Sequence, residues 1–322
     1  MLFLSGLVLL IFGSELVVRG SSHVATMLGV SPMFIGLTIV SIGTSTPELA
    51  VGLVAGAQGK GGLAVGNIAG TNVLNLLFIL GLSALLRPLP MHLQIFKLEL
   101  PVIVLAAGLM TALAWDGVLS RTDGAIMFAA GVGYTIALVA MTRRASDQAK
   151  KEFREEYGSA TVTPTKPKWL GQVGSAALLF AGIAFTVAGA ELLVGAAVTI
   201  AESLGVSPTI IGLTIVAFGT SAPELVTTVI STLKDDRDVA VGNLLGSSIY
   251  NILFILSIPC MVSPGAFPVE PQLLWFDIPL MAAVAIGAIP IFTTGRQISR
   301  LEGGVGVASY VLYLLWVVFS RV

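Results

Sequence analysis

Two long stretches of this chain are nearly the same sequence. Residues 29–49 read GVSPMFIGLTIVSIGTSTPEL and residues 205–225 read GVSPTIIGLTIVAFGTSAPEL, so that 16 of 21 positions are identical at an offset of 176. The same offset aligns VGNIAGTNVLNLLFIL (65–80) with VGNLLGSSIYNILFIL (241–256). A duplication that keeps one offset over such a length predicts that the chain folds as two equivalent halves.

Both copies are strongly apolar, and the rest of the chain shares that character. Of the 322 residues, 55% are hydrophobic and only 11% are charged, whereas about 25% are charged in a soluble domain. A water-soluble fold of this size could not hide so much apolar surface. The composition therefore excludes, as first interpretations, a soluble enzyme, a nucleic-acid-binding protein and a disordered chain. It predicts a polytopic membrane protein.

The rarer residues narrow the function further. A net charge of −1 leaves no basic surface for nucleic acid, and the single cysteine, Cys260, excludes an internal disulfide and a cysteine metal cluster. His23 and His92 lack metal-ligand spacing. We therefore expect no cofactor, no nucleic-acid partner and no obligate protein partner. The N-terminal MLFLSGLVLL has no basic residue before Arg19, which favours a retained first helix over a signal peptide.

Ten segments are long and apolar enough to cross a membrane as helices. They lie at about 2–18, 30–57, 63–86, 98–114, 124–142, 170–195, 206–231, 239–262, 273–293 and 303–320. Five helices per copy is an odd number, so the second copy crosses the membrane in the opposite sense. We therefore predict an all-α polytopic membrane protein with ten transmembrane helices arranged as two inverted-topology five-helix repeats. This construction is typical of secondary transporters that bind their substrate near the midplane.

One polar stretch sets the predicted domain boundaries. Residues 143–168 contain both charge signs, two prolines and no apolar periodicity, which indicates a linker. The first repeat is then predicted at 1–142 and the second at 169–322. The 17 basic residues divide 14 to 3 in favour of the linker side. By the positive-inside rule this predicts a cytoplasmic linker, external termini and a multi-pass protein of the cell membrane, plasma or inner.

Glu48 and Glu224 are the charged residues that are hardest to explain as structure. Each lies inside an apolar segment at the same position of the duplicated motif, where a carboxylate costs at least about 3 kcal/mol on insertion scales. The segments around them contain no lysine or arginine in mid-membrane to balance the charge. A bound cation is the natural counter-charge, and the alternative is a protonated glutamic acid that is hydrogen-bonded inside a packed bundle.

Each glutamate follows a helix-breaking sequence. Pro47 and Pro223 remove an amide donor and clash with the carbonyl four residues back, where a glycine helps the helix to break. The break places freed backbone oxygens beside the hydroxyls of the preceding residues, Thr44, Ser45, Thr220 and Ser221. Carboxylates, hydroxyls and carbonyls are the oxygen ligands of hard cations such as Ca²⁺, which takes 6–8 of them.

The next segment of each half offers further polar groups. Asn67 and Asn243 follow a glycine, and we favour a structural role for them at a turn or helix start. Further along, a hydroxyl and an amide lie four positions apart and share a helix face. They are Thr71 and Asn75 in the first half and Ser247 and Asn251 in the second. They could complete a cation cage, and polar contacts between helices are the alternative.

In these residues the chain resembles the calcium/cation antiporter superfamily and, within it, the prokaryotic sodium/calcium exchangers. GTSTPEL with GNIAGTNVLN, and GTSAPEL with GNLLGSSIYN, look like the two alpha-repeats of that family. The resemblance covers the whole chain and implies alternating-access exchange of Ca²⁺ for Na⁺ or another cation, with the first and sixth helices sliding over the other eight. Carried over by motif position, the implied metal ligands are Glu48 and Glu224 at the centre, Asn75 and Asn251 beside them, Thr44, Ser45, Thr220, Ser221, Thr71 and Ser247 at the outer positions, and the backbone carbonyls of Ser41 and Ala217.

One position departs from the family pattern. Sodium/calcium exchangers of this kind commonly have aspartate where this chain has Asn251, so the centre holds two carboxylates rather than three. Two negative charges match one Ca²⁺, two Na⁺ or two protons, whereas three Na⁺ would leave excess positive charge at low dielectric. The charge balance therefore favours an electroneutral cycle and keeps H⁺/Ca²⁺ exchange as an alternative.

Two other classes of function remain open. A passive cation channel is one, although channels usually build their filter from rings contributed by several subunits. A membrane enzyme with a glutamate pair as its acid and base is the other, but the sequence has no HExxH motif, nucleophile–base pair or phosphate-binding loop to accompany it. One carboxylate in each half of a duplicated chain favours the antiporter.

Overall fold

The apolar segments form helices, because in lipid every backbone polar group must find its partner inside the segment. The computed structural model describes residues 2–91, 95–144, 168–204 and 217–321. Most of the predicted linker and residues 205–216, which begin the second copy of the motif, lie outside the described residues.

The described helices follow the same order in the two halves. In the first half they are α1 (Leu2–Leu28), α2 (Pro32–Thr44), α3 (Thr46–Ala57), α4 (Gly61–Leu86), α5 (Ile95–Asp116) and α6 (Arg121–Arg144). In the second half they are α7 (Lys168–Ser203), α8 (Ala217–Thr220), α9 (Ala222–Leu233), α10 (Arg237–Val262), α11 (Leu273–Phe292) and α12 (Arg300–Arg321).

Among the described residues, seven helices are long and apolar enough to span a membrane, and the bent pair α2–α3 would make an eighth. The predicted span at 206–231 falls partly outside these residues, and α12 is a helix that is not among the seven. The chain is therefore an all-helical, multi-pass membrane protein. The count of ten spans stays a prediction.

The first helix is longer than the hydropathy predicts, since it continues past Arg19 to Leu28. Polar side chains in this last part are satisfied within the helix itself. Arg19 pairs with Glu15 one turn back at 2.7 Å, and the hydroxyl of Ser21 donates to the carbonyl of Val17 at 2.7 Å. The ion pair at i,i+4 supports the helix modestly, and the serine hydroxyl has a partner without leaving the helix.

Two pairs of very short strands join the halves at opposite ends of α5. Strand β1 (Leu89–Pro90) pairs antiparallel with β4 (Gln297–Ile298). Strand β2 (Val118–Leu119) pairs antiparallel with β3 (Phe267–Pro268). Each pair contains one strand from each half, so strand pairing joins the two halves at both ends of the bundle.

Several basic residues meet at the end of the bundle that carries β1 and β4. Arg87 and Arg237 both pair with Asp235, at 3.3 and 2.7 Å, and Arg300 donates to the carbonyl of Leu86 at 3.4 Å. The sequence assigns all three arginines to the linker side of the membrane. The structure places them together, and the cytoplasmic location of that side stays a prediction.

Helices α1 and α7 pack backbone against backbone. A Cβ added to Gly6 would lie 2.6 Å from the amide of Leu193, and one added to Gly20 would lie 2.7 Å from the amide of Leu179. A Cβ on Gly182 would lie 2.6 Å from the amide of Val17. Positions rise along α1 as they fall along α7, so the two helices run antiparallel. Only glycine allows so close an approach.

Helices α4 and α10 form the centre of the bundle, and α10 is buried without interruption from Val239 to Tyr250. Each contains a π-helical turn, Leu74–Ile79 in α4 and Asn251–Leu256 in α10. These turns lie at equivalent positions of the duplication. They bring the polar residues of α4 and α10 beside the breaks at α2–α3 and α8–α9.

Candidate cation-binding site

The break predicted before Glu48 is present in the structure. Helices α2 and α3 are bent by 41° at Ser45, and the hydroxyl of Thr46 donates to the carbonyl of Gly43 at 2.7 Å, where Pro47 has no amide to offer. Helix α3 starts immediately afterwards, so Glu48 lies in its first turn. The unpaired amides and the dipole of a helix N-terminus stabilise a negative charge there.

The second half repeats this arrangement. Helix α9 begins at Ala222, Pro223 lies in its first positions, and Glu224 lies in its first turn. Glu48 and Glu224 are 1% and 0% exposed. Two buried carboxylates thus occupy equivalent helix N-termini, which is why the protein tolerates them away from water.

Each carboxylate is hydrogen-bonded by a serine of the opposite half. Ser45 donates to Glu224 Oε1 at 2.9 Å, and Ser221 donates to Glu48 Oε1 at 3.3 Å. These four residues come from the two copies of one motif, and the pairing crosses between the copies. The two broken helices therefore face each other through these crossed hydrogen bonds.

Helices α4 and α10 contribute hydroxyls from the sides. The hydroxyl of Ser221 also lies 3.3 Å from that of Thr71, and Ser247 donates to the carbonyl of Ser41 at 3.4 Å. The hydroxyls of Ser45, Ser221 and Thr71 are therefore linked by hydrogen bonds to the two glutamates, and Ser247 lies beside the broken helix of the first half.

Asn75 and Asn251 lie in the π-helical turns of α4 and α10, and both are 0% exposed. Neither polar atom of the Asn75 amide has a hydrogen-bond partner among the described residues. The Asn251 amide donates to Asn72 Oδ1 at 3.4 Å, and its own Oδ1 has no partner in the described part of the chain. π-Helical turns are frequent at functional sites.

Four buried oxygens of this site therefore have no hydrogen-bond donor among the described residues. They are Glu48 Oε2, Glu224 Oε2, Asn75 Oδ1 and Asn251 Oδ1. Buried polar groups are nearly always paired, and buried charges are paired or bind a metal ion. No lysine or arginine is among the buried polar residues that the structure describes. The donor set of two carboxylates and two amides fits a hard cation.

The two predicted backbone ligands have different surroundings. The carbonyl of Ser41 accepts from the amide of Ser45 at 3.1 Å as well as from Ser247. Ala217 begins α8, directly after residues that lie outside the described part of the chain. Ligation by Ser41 and Ala217 stays a prediction, as do the ligand roles of the side chains.

Two buried asparagines to which the sequence analysis assigns no ligand role also belong to this network. Asn243, interpreted above as structural, accepts from Thr44 at 3.2 Å and donates to Thr228 at 3.2 Å. Asn72 donates to the carbonyl of Ser248, its equivalent 176 residues later, at 3.1 Å. The sequence signal that could have identified both residues is that they are amide side chains inside the duplicated apolar segments.

Residues 1–140 and 174–319 match the family model described as sodium/calcium exchanger protein. The chain belongs to this family. It is 36% identical to the putative antiporter CaxA of Alkalimonas amylolytica, over 96% of this chain and 95% of the relative. It is also 32% identical to the sodium/calcium exchanger MaX1 of Methanosarcina acetivorans, over 98% of this chain and 97% of the relative.

The fold agrees with a solved exchanger. The sodium-calcium exchanger NCX_Mj, in crystals soaked with 10 mM Na⁺ and no Ca²⁺, superposes with a TM-score of 0.81 and 28% identity, covering 98% of this chain and 97% of that chain. The inner membrane protein YrbG of Escherichia coli K12 is 33% identical over 98% of this chain and 94% of its own length. The chain is thus a multi-pass ion antiporter of the sodium/calcium exchanger family, and the relatives CaxA and MaX1 are named as an antiporter and an exchanger.

Proposed function

We propose that this protein exchanges Ca²⁺ for Na⁺ or another monovalent cation by alternating access, with the ions bound at mid-membrane between the two repeats. The observation that carries the proposal is the crossed pairing of Ser45 with Glu224 and Ser221 with Glu48. Each pairing leaves one oxygen of a buried carboxylate without a donor among the described residues. A cation held by those oxygens contacts both halves, so its binding depends on how the halves are arranged.

The inverted arrangement of the repeats is part of this proposal. Helices α1 and α7 are equivalent in the duplication and run antiparallel against each other, which is what a two-fold axis in the membrane plane produces. The contact of Asn72 with Ser248, its own equivalent, supports such an axis near α4 and α10. Two inverted halves can exchange conformations and open the same site first to one side and then to the other.

The α1–α7 pair is the proposed moving part. Its backbone-to-backbone packing makes it stiff, while a side-chain hydrogen bond and an ion pair join it to α9 and the following loop. The hydroxyl of Thr227 donates to Ser14 at 3.2 Å, and Lys234 pairs with Glu15. Contacts between side-chain tips can re-form after a displacement more readily than interlocked backbones can. These two helices therefore slide as a unit over the rest of the bundle.

The charge of the site favours an electroneutral cycle. No group of three or more acidic, histidine or cysteine side chains clusters within the described residues, so Glu48 and Glu224 are the carboxylates available at the centre. They balance one Ca²⁺ or two monovalent cations, and protons could take the place of Na⁺ on the same oxygens. H⁺/Ca²⁺ exchange is the second candidate, favoured by the amide at Asn251 where a third carboxylate is commonly found.

Flux into proteoliposomes tests the proposal. Ca²⁺ uptake by the purified protein should require an opposing gradient of Na⁺ or H⁺ and should stop when that gradient is dissipated. Varying the Na⁺, K⁺ and H⁺ gradients one at a time identifies the coupling ion. Uptake that persists without any counter-gradient would indicate a passive channel instead.

A further inference from the structure

Helix α9 carries a line of polar residues that the binding site does not account for. Starting from Glu224, they are Thr227, Thr228, Ser231 and Thr232, at spacings of three, four, seven and eight, so they share one face of the helix. Each of these four residues is 0% exposed. We call the four residues after Glu224 the hydroxyl stripe. Hydroxyls inside a membrane bundle face protein or a cavity rather than lipid.

The stripe is connected to the cation site by a chain of hydrogen bonds. Thr44, one of the predicted outer ligands, donates to Asn243 at 3.2 Å, and Asn243 donates to the hydroxyl of Thr228 at 3.2 Å. Thr232 continues the line by donating to the carbonyl of Thr228 at 2.8 Å. The polar groups therefore continue from the site for two turns along α9.

Ser231 indicates that the hydroxyl stripe does more than form hydrogen bonds within α9. Its Oγ is buried and has no hydrogen-bond partner among the described residues, although a serine in a helix can bond the carbonyl four residues back, as Thr232 does. A buried hydroxyl without a partner is unfavourable and is expected where a water or an ion binds in another state. The Oγ atom of Ser231 lies on the same face of α9 as Glu224.

The stripe ends at a charged rim. Helix α9 stops at Leu233, and Asp236 in the following loop accepts a hydrogen bond from Ser22 of α1 while its Oδ1 is buried without a partner in the described part of the chain. Lys234 pairs with Glu15 of α1. The unpartnered carboxylate oxygen of Asp236 therefore offers a negative group to a cation at the end of the polar line.

The first half lacks this feature. The positions equivalent to the stripe in α3 are Val51, Gly52, Ala55 and Gly56, and an added Cβ at Gly52 would lie 2.9 Å from the ring of Pro259. The two glutamates are equivalent, but only the second is continued by hydroxyls. The hydroxyl stripe is therefore present in the second half only, on one side of the cation site.

We propose that the hydroxyl stripe lines the route by which the transported cation moves between Glu224 and the membrane face that carries Lys234 and Asp236. Its oxygens replace part of the ion's hydration shell in succession, and α1 closes the route in this structure through Ser14 and Ser22. This inference rests on the proposed exchange function. It adds that the two faces of the membrane are reached by chemically different routes.

Rates and binding separate this role from a structural one. Thr228→Val, Ser231→Ala and Thr232→Val each remove a hydroxyl and should slow exchange by roughly two- to tenfold per hydroxyl, the value of one hydrogen bond. Equilibrium Ca²⁺ binding and thermal stability should stay unchanged for Ser231→Ala. Thr228→Ser keeps the hydroxyl and should restore the rate. Thr199→Val, which removes an exposed hydroxyl bonded within α7, is the matched control.

Thiol labelling tests the direction of the route. The native chain holds one cysteine, Cys260, which is buried, and should not react with a membrane-impermeant, positively charged thiol reagent. Ser231→Cys should react from the face that carries Lys234 and not from the other face, as measured in intact cells and inverted vesicles, and excess Ca²⁺ should slow the reaction.

Two results would overturn the inference while leaving the exchange function intact. One is a wild-type rate in Thr228→Val, Ser231→Ala and Thr232→Val. The other is labelling of Ser231→Cys from both faces equally or from neither. Failure of the native protein to show gradient-dependent Ca²⁺ uptake would instead refute the exchange function itself, so the two failures can be told apart.

Discussion

The hydroxyl of Ser45 lies 2.9 Å from the carboxylate of Glu224, although the two residues are 179 positions apart in the chain. Ser45 is at the break of one half, and Glu224 is in the first turn after the break of the other. The same relationship holds between Ser221 and Glu48 at 3.3 Å. Each half therefore completes the site of its counterpart, and neither half alone presents the crossed pairing.

This crossed pairing is measurable by a double-mutant cycle. Ser45→Ala combined with Glu224→Gln should give a coupling energy of about 1.5–3 kcal/mol in the Ca²⁺ dissociation constant, the range for a hydrogen bond to a charged group. Ser45→Ala combined with Glu48→Gln should couple less, because Ser45 bonds the other carboxylate. Equal coupling in the two cycles would contradict the observed pairing.

The carboxylates of Glu48 and Glu224 should be indispensable for cation binding. Glu48→Gln and Glu224→Gln each remove one negative charge from a buried site, and a loss of about 3 kcal/mol or more in cation binding corresponds to a decrease in affinity of at least roughly 100-fold. Calorimetric Ca²⁺ titration of each variant measures this. The exposed Glu270→Gln is the control and should bind normally. Transport at the wild-type rate in both glutamine variants would refute the ligand assignment.

The number of carboxylates sets the charge moved per cycle. If the native exchange is electroneutral, proteoliposomes should show Ca²⁺ flux without net current. Asn251→Asp adds a third negative charge beside the first two and should allow one more monovalent cation to bind, so that exchange becomes current-producing. Simultaneous recording of flux and membrane current compares the two proteins. A large current from the native protein would refute the electroneutral cycle.

The glycines between α1 and α7 should resist substitution. A Cβ on Gly6 or Gly182 would meet backbone atoms of the facing helix at 2.6 Å, and overpacking of this kind costs about 1–3 kcal/mol. Gly182→Ala should therefore lower the melting temperature in detergent and slow transport. Gly195 lies in the same helix with open space around its Cβ position, and Gly195→Ala should be neutral or slightly stabilising. Equal effects at the two positions would argue against a tight helix pair.

Asp236 should make stability depend on pH. Burial raises the pKa of this carboxyl above its ordinary value of 3.8, and the hydrogen bond from Ser22 lowers it to a smaller extent. Because the folded protein binds this proton more tightly than the unfolded chain, the contribution of Asp236 to stability increases as pH falls through the folded pKa. Asp236→Asn should weaken that dependence. Melting curves of the two proteins, recorded from about pH 7 down to about pH 4, measure the difference.

Local sequence determines much of this protein. The apolar segments predicted the helices, because lipid leaves the backbone no other partner, and Pro47 with its glycine predicted the 41° break before Glu48. The duplication showed that the two glutamates are equivalent. These features depend on neighbours in the chain, and hydropathy, helix propensity and proline geometry are sufficient to predict them.

The tertiary structure decided which groups meet. No local property of Ser45 indicates that it bonds Glu224 rather than Glu48, since its own motif contains a glutamate three residues away. Asn72 and Asn243 enter the network because α4 and α10 cross beside the breaks. The hydroxyl stripe of α9 is readable in the sequence, but only the packing shows that Thr227 meets Ser14 of α1 and that Thr228 meets Asn243 of α10. Contacts between distant segments depend on how helices pack, and one sequence pattern is compatible with many packings.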